Sequence, residues 1–185
     1  MERWFPIRTA RLLLREFRAS DEFDVHEYAS DPIVSQFDEW GPNTPEKTSE
    51  RLARHLREQE RWPRQEVDLA VELLSEQKII GSTSVWMSDE KNRTAGFGYT
   101  FNQRYWNQGF ATEATRALLN SCFQSFEMHR VWASCDVRNI GSWRVMEKLG
   151  MRREGMFLRD KFQKGVWRDS YLYAILADEW QSACR

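Results

Sequence analysis

The periodicity of the apolar residues changes from two to about 3.6 near residue 109, and this change constrains the fold more than any other feature. Before it, three segments alternate as strands do, namely Val67–Leu73, Ile79–Trp86 and Ala95–Phe101. After it, apolar residues recur three or four positions apart over Gly109–Phe126, which predicts an amphipathic helix. Another strand is expected at Arg130–Val137. The pattern predicts an antiparallel meander followed by a β-α-β crossover, which requires a parallel strand pair.

Shorter elements are expected before the meander. Ala10–Phe17 is apolar enough for a strand, and Ser20 is expected to cap the short acidic helix that follows it. Thr44 followed by Pro45 predicts the N-cap and the first residue of a second helix, because proline suits that position. The rest of that helix is heavily charged, so we expect it to lie on the surface.

Beyond the crossover, the pattern predicts a helix and then a hairpin. The helix spans Ser142–Leu149 and stops at Gly150, a residue type common at helix ends. The hairpin pairs Glu154–Phe162 with Val166–Leu176. Together these segments predict a single α+β domain over residues 1–185, in which seven strands form a mixed, mostly antiparallel sheet with helices on both faces.

The charge balance limits the classes of partner. The chain has 185 residues with 27 basic and 28 acidic side chains, for a net charge of -1. It has no overall field to attract nucleic acid or an anionic membrane, so neither is expected as a partner. No apolar run approaches the ~18 residues of a membrane span, and no signal peptide is expected. Cys122, Cys135 and Cys184 lack metal-ligand spacing, so we expect reduced thiols, no metal and a cytoplasmic location.

One glycine stands where the central helix begins, in the stretch YWNQGFATEA at 105–114. Glycine weakens a helix, so Gly109 indicates that something approaches the backbone closely at this point. A helix N-terminus has unpaired N–H groups and a partial positive charge. The sequence therefore predicts an anion at Gly109.

Resemblance to a known family is carried by four separate stretches: GFGYTF, NQRYWNQGFATEA, SCDVRNIGSWRVMEKLGM and GVWRDSYLYAIL. These are similar to the GNAT acetyltransferases, especially to the branch that acetylates N-terminal amines of ribosomal proteins. The likeness begins at TARLLLREF and keeps the family's order along nearly the whole chain. It implies a GNAT fold, an acetyl-CoA co-substrate, a primary amine as acceptor and a monomer or homodimer.

The family's phosphate loop, Gln/Arg-x-x-Gly-x-Gly/Ala, falls on residues 106–111 of this sequence. Gly109 and Ala111 fit the pattern, whereas Trp106 replaces the usual Gln or Arg. Resemblance implies that backbone amides of this loop hold the pyrophosphate and that Asn139 bonds the pantetheine arm; the alternative is that Asn139 only caps its helix. The residues expected to bind the cofactor are Tyr99, Thr100, Phe101, Asn107, Gln108, Gly109, Phe110, Ala111, Thr112, Asn139 and Ser142.

The resemblance also implies how the leaving thiolate is protonated. Many family members use a tyrosine at the position of Met146, and methionine cannot donate a proton. The ribosomal branch is thought to use a serine instead, which here is Ser142. The alternative is that Ser142 only bonds back to the preceding helical turn. Backbone N–H groups around Tyr99–Phe101 are expected to polarise the carbonyl.

The sequence does not single out one general base, because the position that holds a glutamate in many family members is Gly96 here. Asp160 lies near an acidic position proposed for the ribosomal branch and is the expected base. Asp136, Glu39 and a bound water remain alternatives. The three histidines are interpreted as structural; they are His26, His55 and His129.

The acceptor is expected to bind between the first helices, the DEWGPN loop at 38–43 and the final hairpin. A peptide N-terminus, an aminoglycoside and another small amine all remain open, and Asp38 and Glu39 suit a cation. Two rival functions are a non-catalytic CoA-binding sensor and a nucleic-acid or protein adaptor. The balanced charge argues against the adaptor.

Overall fold

Eight strands form one sheet in the order β1-β2-β3-β4-β5-β6-β8-β7 in the computed structural model, which describes residues 5–183, without the side chain of Ala183. The strands are β1 Ile7–Arg8, β2 Leu12–Arg15, β3 Glu66–Leu73, β4 Lys78–Asp89, β5 Thr94–Phe101, β6 Arg130–Asp136, β7 Arg152–Gln163 and β8 Val166–Leu176. The helices are α1 Glu22–Ala29, α2 Pro45–Glu58, α3 Phe110–Gln124, α4 Ile140–Lys148 and α5 Ala177–Ala183. Cys184 lies outside the described residues.

The central crossover confirms the α+β prediction. β5 and β6 run parallel and are joined through α3, whereas every other neighbouring pair in the described sheet is antiparallel. The parallel pairing is short, because it joins only Thr94–Gly96 to Arg130–Trp132. An eighth strand, β1, adds two residues beside β2 and was not predicted, since two residues show no periodicity.

The N-terminal helix begins differently from the prediction. Ser20 is exposed and lies in a 3-10 turn over Ala19–Asp21, and no side chain caps α1 in the described structure. Asp21 is buried instead and accepts hydrogen bonds of 2.8 and 2.9 Å from the guanidinium of Arg15. This ion pair replaces the predicted Ser20 cap, because it ties the start of the helix to β2.

The sequence correctly predicted the start of the second helix but gave no sign of the last one. The side chain of Thr44 accepts from the Lys47 amide, with Pro45 at the first position, as predicted. Helix α5 was missed, because seven residues are too few to show a helical period. Its Trp180 is buried and donates from Nε1 to Asn120 on α3 at 2.9 Å.

Two apolar clusters lie on opposite faces of the sheet. The larger one packs α3 against the central strands, with Leu118, Leu119 and Ile80 fully buried. The smaller one lies under α1 and α2 and includes Val25 and Leu52. A helical layer on each face was predicted, and it gives the central strands two different environments.

Gly96 is closely covered by Trp86 on the neighbouring strand. A Cβ at Gly96 would lie 2.6 Å from Nε1 of Trp86 and nearer still to two ring carbons. The indole is itself held edge-on against Trp132, with ring centroids 5.8 Å apart. The family's glutamate therefore has no room at this position.

We expect Gly96→Ala to lower the free energy of unfolding by about 1–3 kcal/mol, because the added methyl group overpacks the Trp86 ring. Gly155→Ala on β7 is the matched control, since a Cβ there would meet nothing within 4 Å. Urea unfolding of both variants measures the difference. Equal stability of the two variants would contradict the packing argument.

Candidate active site

A cleft of about 890 Å³ opens where β5 and β6 separate beyond their three paired residues. One end is formed by the N-termini of α3 and α4, and the other by the loop at 33–40 and the tip of the β7–β8 hairpin. That tip is fixed by Lys164, whose Nζ donates to the Ser35 carbonyl at 2.6 Å. The cleft thus passes through the sheet from one helical layer to the other.

The α3 end of the cleft is built around Gly109. This residue is the N-cap of α3 and has a φ of +83°, a left-handed conformation that glycine adopts without strain. Most predicted loop residues line the cleft; these are Asn107, Gly109, Phe110, Ala111 and Thr112. Gln108 does not, because its side chain turns back and donates to the Arg104 carbonyl at 2.9 Å.

Arg11 braces this loop from the turn between β1 and β2. Its Nη1 donates to the Gln108 carbonyl at 3.0 Å, and its guanidinium lies 4.2 Å from the ring centroid of Phe110. Its Nε is 2.7 Å from Glu113, which also accepts from Thr9 at 2.6 Å. Burial acts to raise the pKa of Glu113, but these bonds from Thr9 and Arg11 outweigh it and lower the pKa. Sequence reasoning missed this brace, since its members are about a hundred residues apart.

The peptide between Phe101 and Asn102 shows which way the backbone of β5 points. The Asn102 amide donates to Ile80 on β4 at 2.9 Å, whereas the Phe101 carbonyl accepts from Trp106 Nε1 at 2.8 Å on the opposite side. Because backbone direction alternates along a strand, the N–H of Tyr99 points away from β4 and toward the cleft. The unusual Trp106 therefore closes the end of β5.

Ser142 meets the side chain of Tyr99 across the cleft. The Tyr99 hydroxyl lies 3.0 Å from the Ser142 carbonyl and 3.1 Å from its Oγ. Burial raises the pKa of Tyr99, which keeps the phenol protonated. The hydroxyl of Ser142 thus links α4 to Tyr99 on β5. The tyrosine hydroxyl had not been anticipated as part of the site.

Asn139 and Cys135 both contact Ser142. Asn139 caps α4, because its Oδ1 accepts from the Ser142 amide at 3.1 Å, and its Nδ2 has no hydrogen bond within residues 5–183. Burial raises the pKa of Cys135 to about 11, although the Ser142 hydroxyl acts to lower it. Burial likewise raises the pKa of Cys122 to about 12. Both thiols are therefore protonated at neutral pH, which disfavours either as a nucleophile.

The candidate bases occupy different surroundings. Asp136 lines the cleft and is bound by Arg138 at 2.9 and 2.5 Å; burial acts to raise its pKa, but Arg138 outweighs burial and lowers it. Glu39 lines the cleft and is exposed. Asp160 is exposed and is not among the side chains that line the cleft, whereas its neighbour Lys161 is. The structure therefore does not bring Asp160 to Ser142.

A different acid, Asp38, occupies the acceptor end. Its half-buried carboxyl lines the cleft, and burial raises its pKa to about 6, against the opposing charges of Arg51, Lys164 and Lys161. Arg51 itself lies 4.3 Å above the ring of Trp40. A carboxyl with a pKa near 6 changes its protonation close to neutral pH, which suits proton transfer.

His55 also lines the cleft, although it was interpreted as structural. Its Nδ1 lies 3.0 Å from a carboxylate oxygen of Asp68 on β3, and its ring stacks on Phe17 with centroids 4.8 Å apart. The carboxylate comes from β3 whereas His55 lies on α2, so spacing within the helix gave no sign of it. Within residues 5–183, no group of three or more His, Cys, Asp or Glu side chains is arranged to hold a metal ion. None of the helices in this range has the length and apolar character needed to cross a membrane.

Comparison with known proteins agrees with this geometry. Residues 11–152 match the family model described as Acetyltransferase (GNAT) domain. The chain belongs to the GNAT acetyltransferases. It is accordingly an N-acetyltransferase of this family, whose members use acetyl-CoA as co-substrate.

Individual GNAT relatives cover nearly the whole chain. It is 38% identical over 175 residues to the Uncharacterized N-acetyltransferase YnaD of Bacillus subtilis, covering 94% of this chain and 98% of YnaD. The crystal structure of a GNAT-family acetyltransferase from Bacillus anthracis superposes with a TM-score of 0.84 at 34% identity, covering 94% and 99% of the two chains. The Ribosomal-protein-serine acetyltransferase of Escherichia coli is 30% identical over 106 residues, or 57% of this chain and 59% of that protein.

We expect Asp38→Asn to stabilise the protein at pH 8. The folded form holds this proton more tightly than the unfolded chain, so ionisation of Asp38 destabilises the fold as the pH rises from about 4 to above 6. A pKa of about 6 against an ordinary 3.8 sets an upper bound of about 3 kcal/mol, and partial solvation reduces the expected gain to about 1 kcal/mol.

Thermal unfolding from pH 4 to pH 8 measures this gain, which should vanish at the acidic end. Glu39→Gln is the matched control, because an exposed carboxylate gains little from losing its charge. A stability difference that does not change with pH would contradict the assignment.

Proposed function

We propose that the protein transfers acetyl directly from acetyl-CoA to a primary amine, either a protein N-terminal α-amine or the amine of a small molecule. The observation that carries the proposal is the cleft between β5 and β6, which joins the glycine-started α3 to an end lined by Asp38. A ternary complex fits such a cleft, because each substrate enters from its own end. The protein named Ribosomal-protein-serine acetyltransferase supports a peptide acceptor by similarity.

The residues present fit acetyl-CoA. The left-handed Gly109 leaves the amides from Gly109 to Thr112 accessible, and these would hold the pyrophosphate at the start of α3. Asn139 would bind a pantetheine amide through Nδ2 while its Oδ1 keeps the helix cap. Gln108 would contribute only its backbone, since its side chain is held by Arg104. Thr100 and Phe101 would border the pantetheine arm at the end of β5.

Each step is assigned to a group of the chain. Acetyl-CoA supplies a thioester whose carbonyl carbon the neutral amine attacks. The N–H of Tyr99 would donate to the carbonyl oxygen as it gains charge. Asp38, or a water beside it, would take the proton from the ammonium group. Ser142 would donate a proton to the departing sulfur, and the Tyr99 hydroxyl would hold Ser142 in position.

The test of this function is acetyl transfer by the purified protein to a panel of peptides and small amines. Release of the CoA thiol together with acetylated product is expected. Binding of acetyl-CoA without release of CoA for any amine would indicate the non-catalytic sensor instead.

A binding measurement tests the loop at Gly109. Gly109→Ala should weaken acetyl-CoA binding at least about tenfold, or about 1.4 kcal/mol, because a side chain blocks the backbone and approaches Arg11 at 3.4 Å. Gly165→Ala is the matched control, since its φ of +79° imposes similar strain in open space far from the loop. Calorimetry compares the two, and equal cofactor affinity would place the pyrophosphate elsewhere.

Ser142→Ala is expected to lower kcat by about 10²–10⁴-fold with little change in the KM for acetyl-CoA, because a proton donor to sulfur acts only as the bond breaks. Tyr99→Phe should lower kcat by about tenfold, since it removes only the hydroxyl that positions Ser142. Steady-state kinetics and thermal melting of both variants separate catalysis from folding. A kcat for Ser142→Ala within about threefold of the unmodified enzyme would exclude Ser142 as the proton donor.

A further inference from the structure

Two cations face each other across the final hairpin inside the cleft. Lys161 on β7 is paired in register with Arg168 on β8, and both line the acceptor end. Side chains directly opposite in an antiparallel pair lie about 5 Å apart at Cβ, and like charges at that spacing destabilise the pair. An anion between them would remove this repulsion.

The described part of the chain supplies a carboxylate to Arg168 alone, and only through a long contact to one oxygen. Asp136 forms this ion pair at 3.8 Å from Nη1 of Arg168, and it also accepts two shorter bonds from the side chain of Arg138. Lys161 makes no ion pair with any described side chain. Asp169 lies outside the cleft lining and accepts from the Arg159 amide at 2.8 Å.

Arg168 also has an unused donor. Its Nε is buried and has no hydrogen-bond partner within residues 5–183. A buried donor left unpaired costs about 1–3 kcal/mol, so such groups normally have a partner when the protein works. A guanidinium edge matches the two oxygens of a carboxylate.

The two cations lie close to the groups that handle the amine. The charge of Lys161 acts to lower the pKa of Asp38 and also that of Cys135, which neighbours Ser142. Lys161 and Arg168 line the same cleft as Asp38 and Ser142. An acceptor bound in this cleft would therefore contact the carboxylate of Asp38 and the cations Lys161 and Arg168.

We propose that the acceptor carries a carboxylate next to its primary amine, held by Lys161 and Arg168 while the amine faces Asp38. The substrate class is an α-amino acid, or a peptide whose first residues are acidic. This inference rests on the proposed acetyl transfer, because it names the substrate of the same cleft.

The experiment compares acceptors that differ only in the carboxylate. One arm uses peptides beginning with Glu or with Gln, and the other uses glutamate or its α-amide, so that side-chain and α-carboxylate sources are distinguished. We expect kcat/KM to favour the carboxylate at least about tenfold in one arm. Calorimetry with the same acceptors, in the presence of CoA, measures binding independently of turnover.

Substitutions test whether Lys161 and Arg168 cause the preference for a carboxylate. Lys161→Gln and Arg168→Gln should each abolish most of the carboxylate preference while leaving acetyl-CoA binding unchanged. Lys161→Gln should also raise the melting temperature without acceptor, because the repulsion with Arg168 is removed. Arg159→Gln is the matched control, since this exposed β7 cation lies outside the cleft lining.

The outcomes separate the two proposals. Carboxylate-selective binding without acetyl transfer would support the anion site and overturn the proposed function. Acetyl transfer without any carboxylate preference, or a preference that survives both substitutions, would overturn this inference and leave the proposed function standing.

Discussion

The early separation of β5 from β6 is the constraint on which the rest of the site depends. Parallel pairing ends after three residues, yet each strand keeps an antiparallel partner on its other side, β4 for β5 and β8 for β6. The sheet is therefore continuous where β5 and β6 begin and opens toward the other end of these two strands. Backbone groups that would have paired across this gap are left for a substrate, and buried backbone groups require such partners. The cleft follows from strand topology more than from any loop.

The alternation of side chains across these strands gives the cleft two environments. Phe97 and Cys135 face the apolar cluster beneath α3, whereas Gly98, Ser134 and Asp136 lie at alternate positions and also border the cleft. A cofactor arm and a charged acceptor have opposite requirements for solvation. The same pair of strands can serve both, because successive residues point to opposite faces.

Local patterns in the sequence were enough for most of the fold and for the glycine at the start of α3. Strand alternation and the helical period depend on neighbouring residues, so β8 was predicted with its observed bounds and Gly109 at the start of α3. Contacts between distant segments leave no such pattern. The bond from Arg11 to Glu113 and the pairing of Tyr99 with Ser142 depend on how the sheet brings those segments together.

The position of Asp160 shows how small a difference decides a site. The β7–β8 register shifts between Phe157 and Lys161, and Arg159 has a positive φ of 50° in that interval. A shift of one residue exchanges the faces on which side chains lie. Lys161 therefore borders the cleft while Asp160 does not. The resemblance had placed Asp160 only near the acidic position of the ribosomal branch, and an error of one residue is enough to put a side chain on the wrong face. Hydrophobic periodicity does not report such irregularities, because β7 is mostly exposed.

The brace formed by Arg11 has a consequence for the chain's first strands. Arg11 and Thr9 lie at the outer edge of the sheet, yet their bonds end on Glu113 and on the carbonyl of Gln108. Ordering of the loop at Gly109 and docking of the turn between β1 and β2 are therefore linked equilibria, and linkage is reciprocal. A ligand that orders this loop therefore also stabilises the β1–β2 hairpin. Conversely, a change that destabilises β1 lowers the affinity of the loop for that ligand.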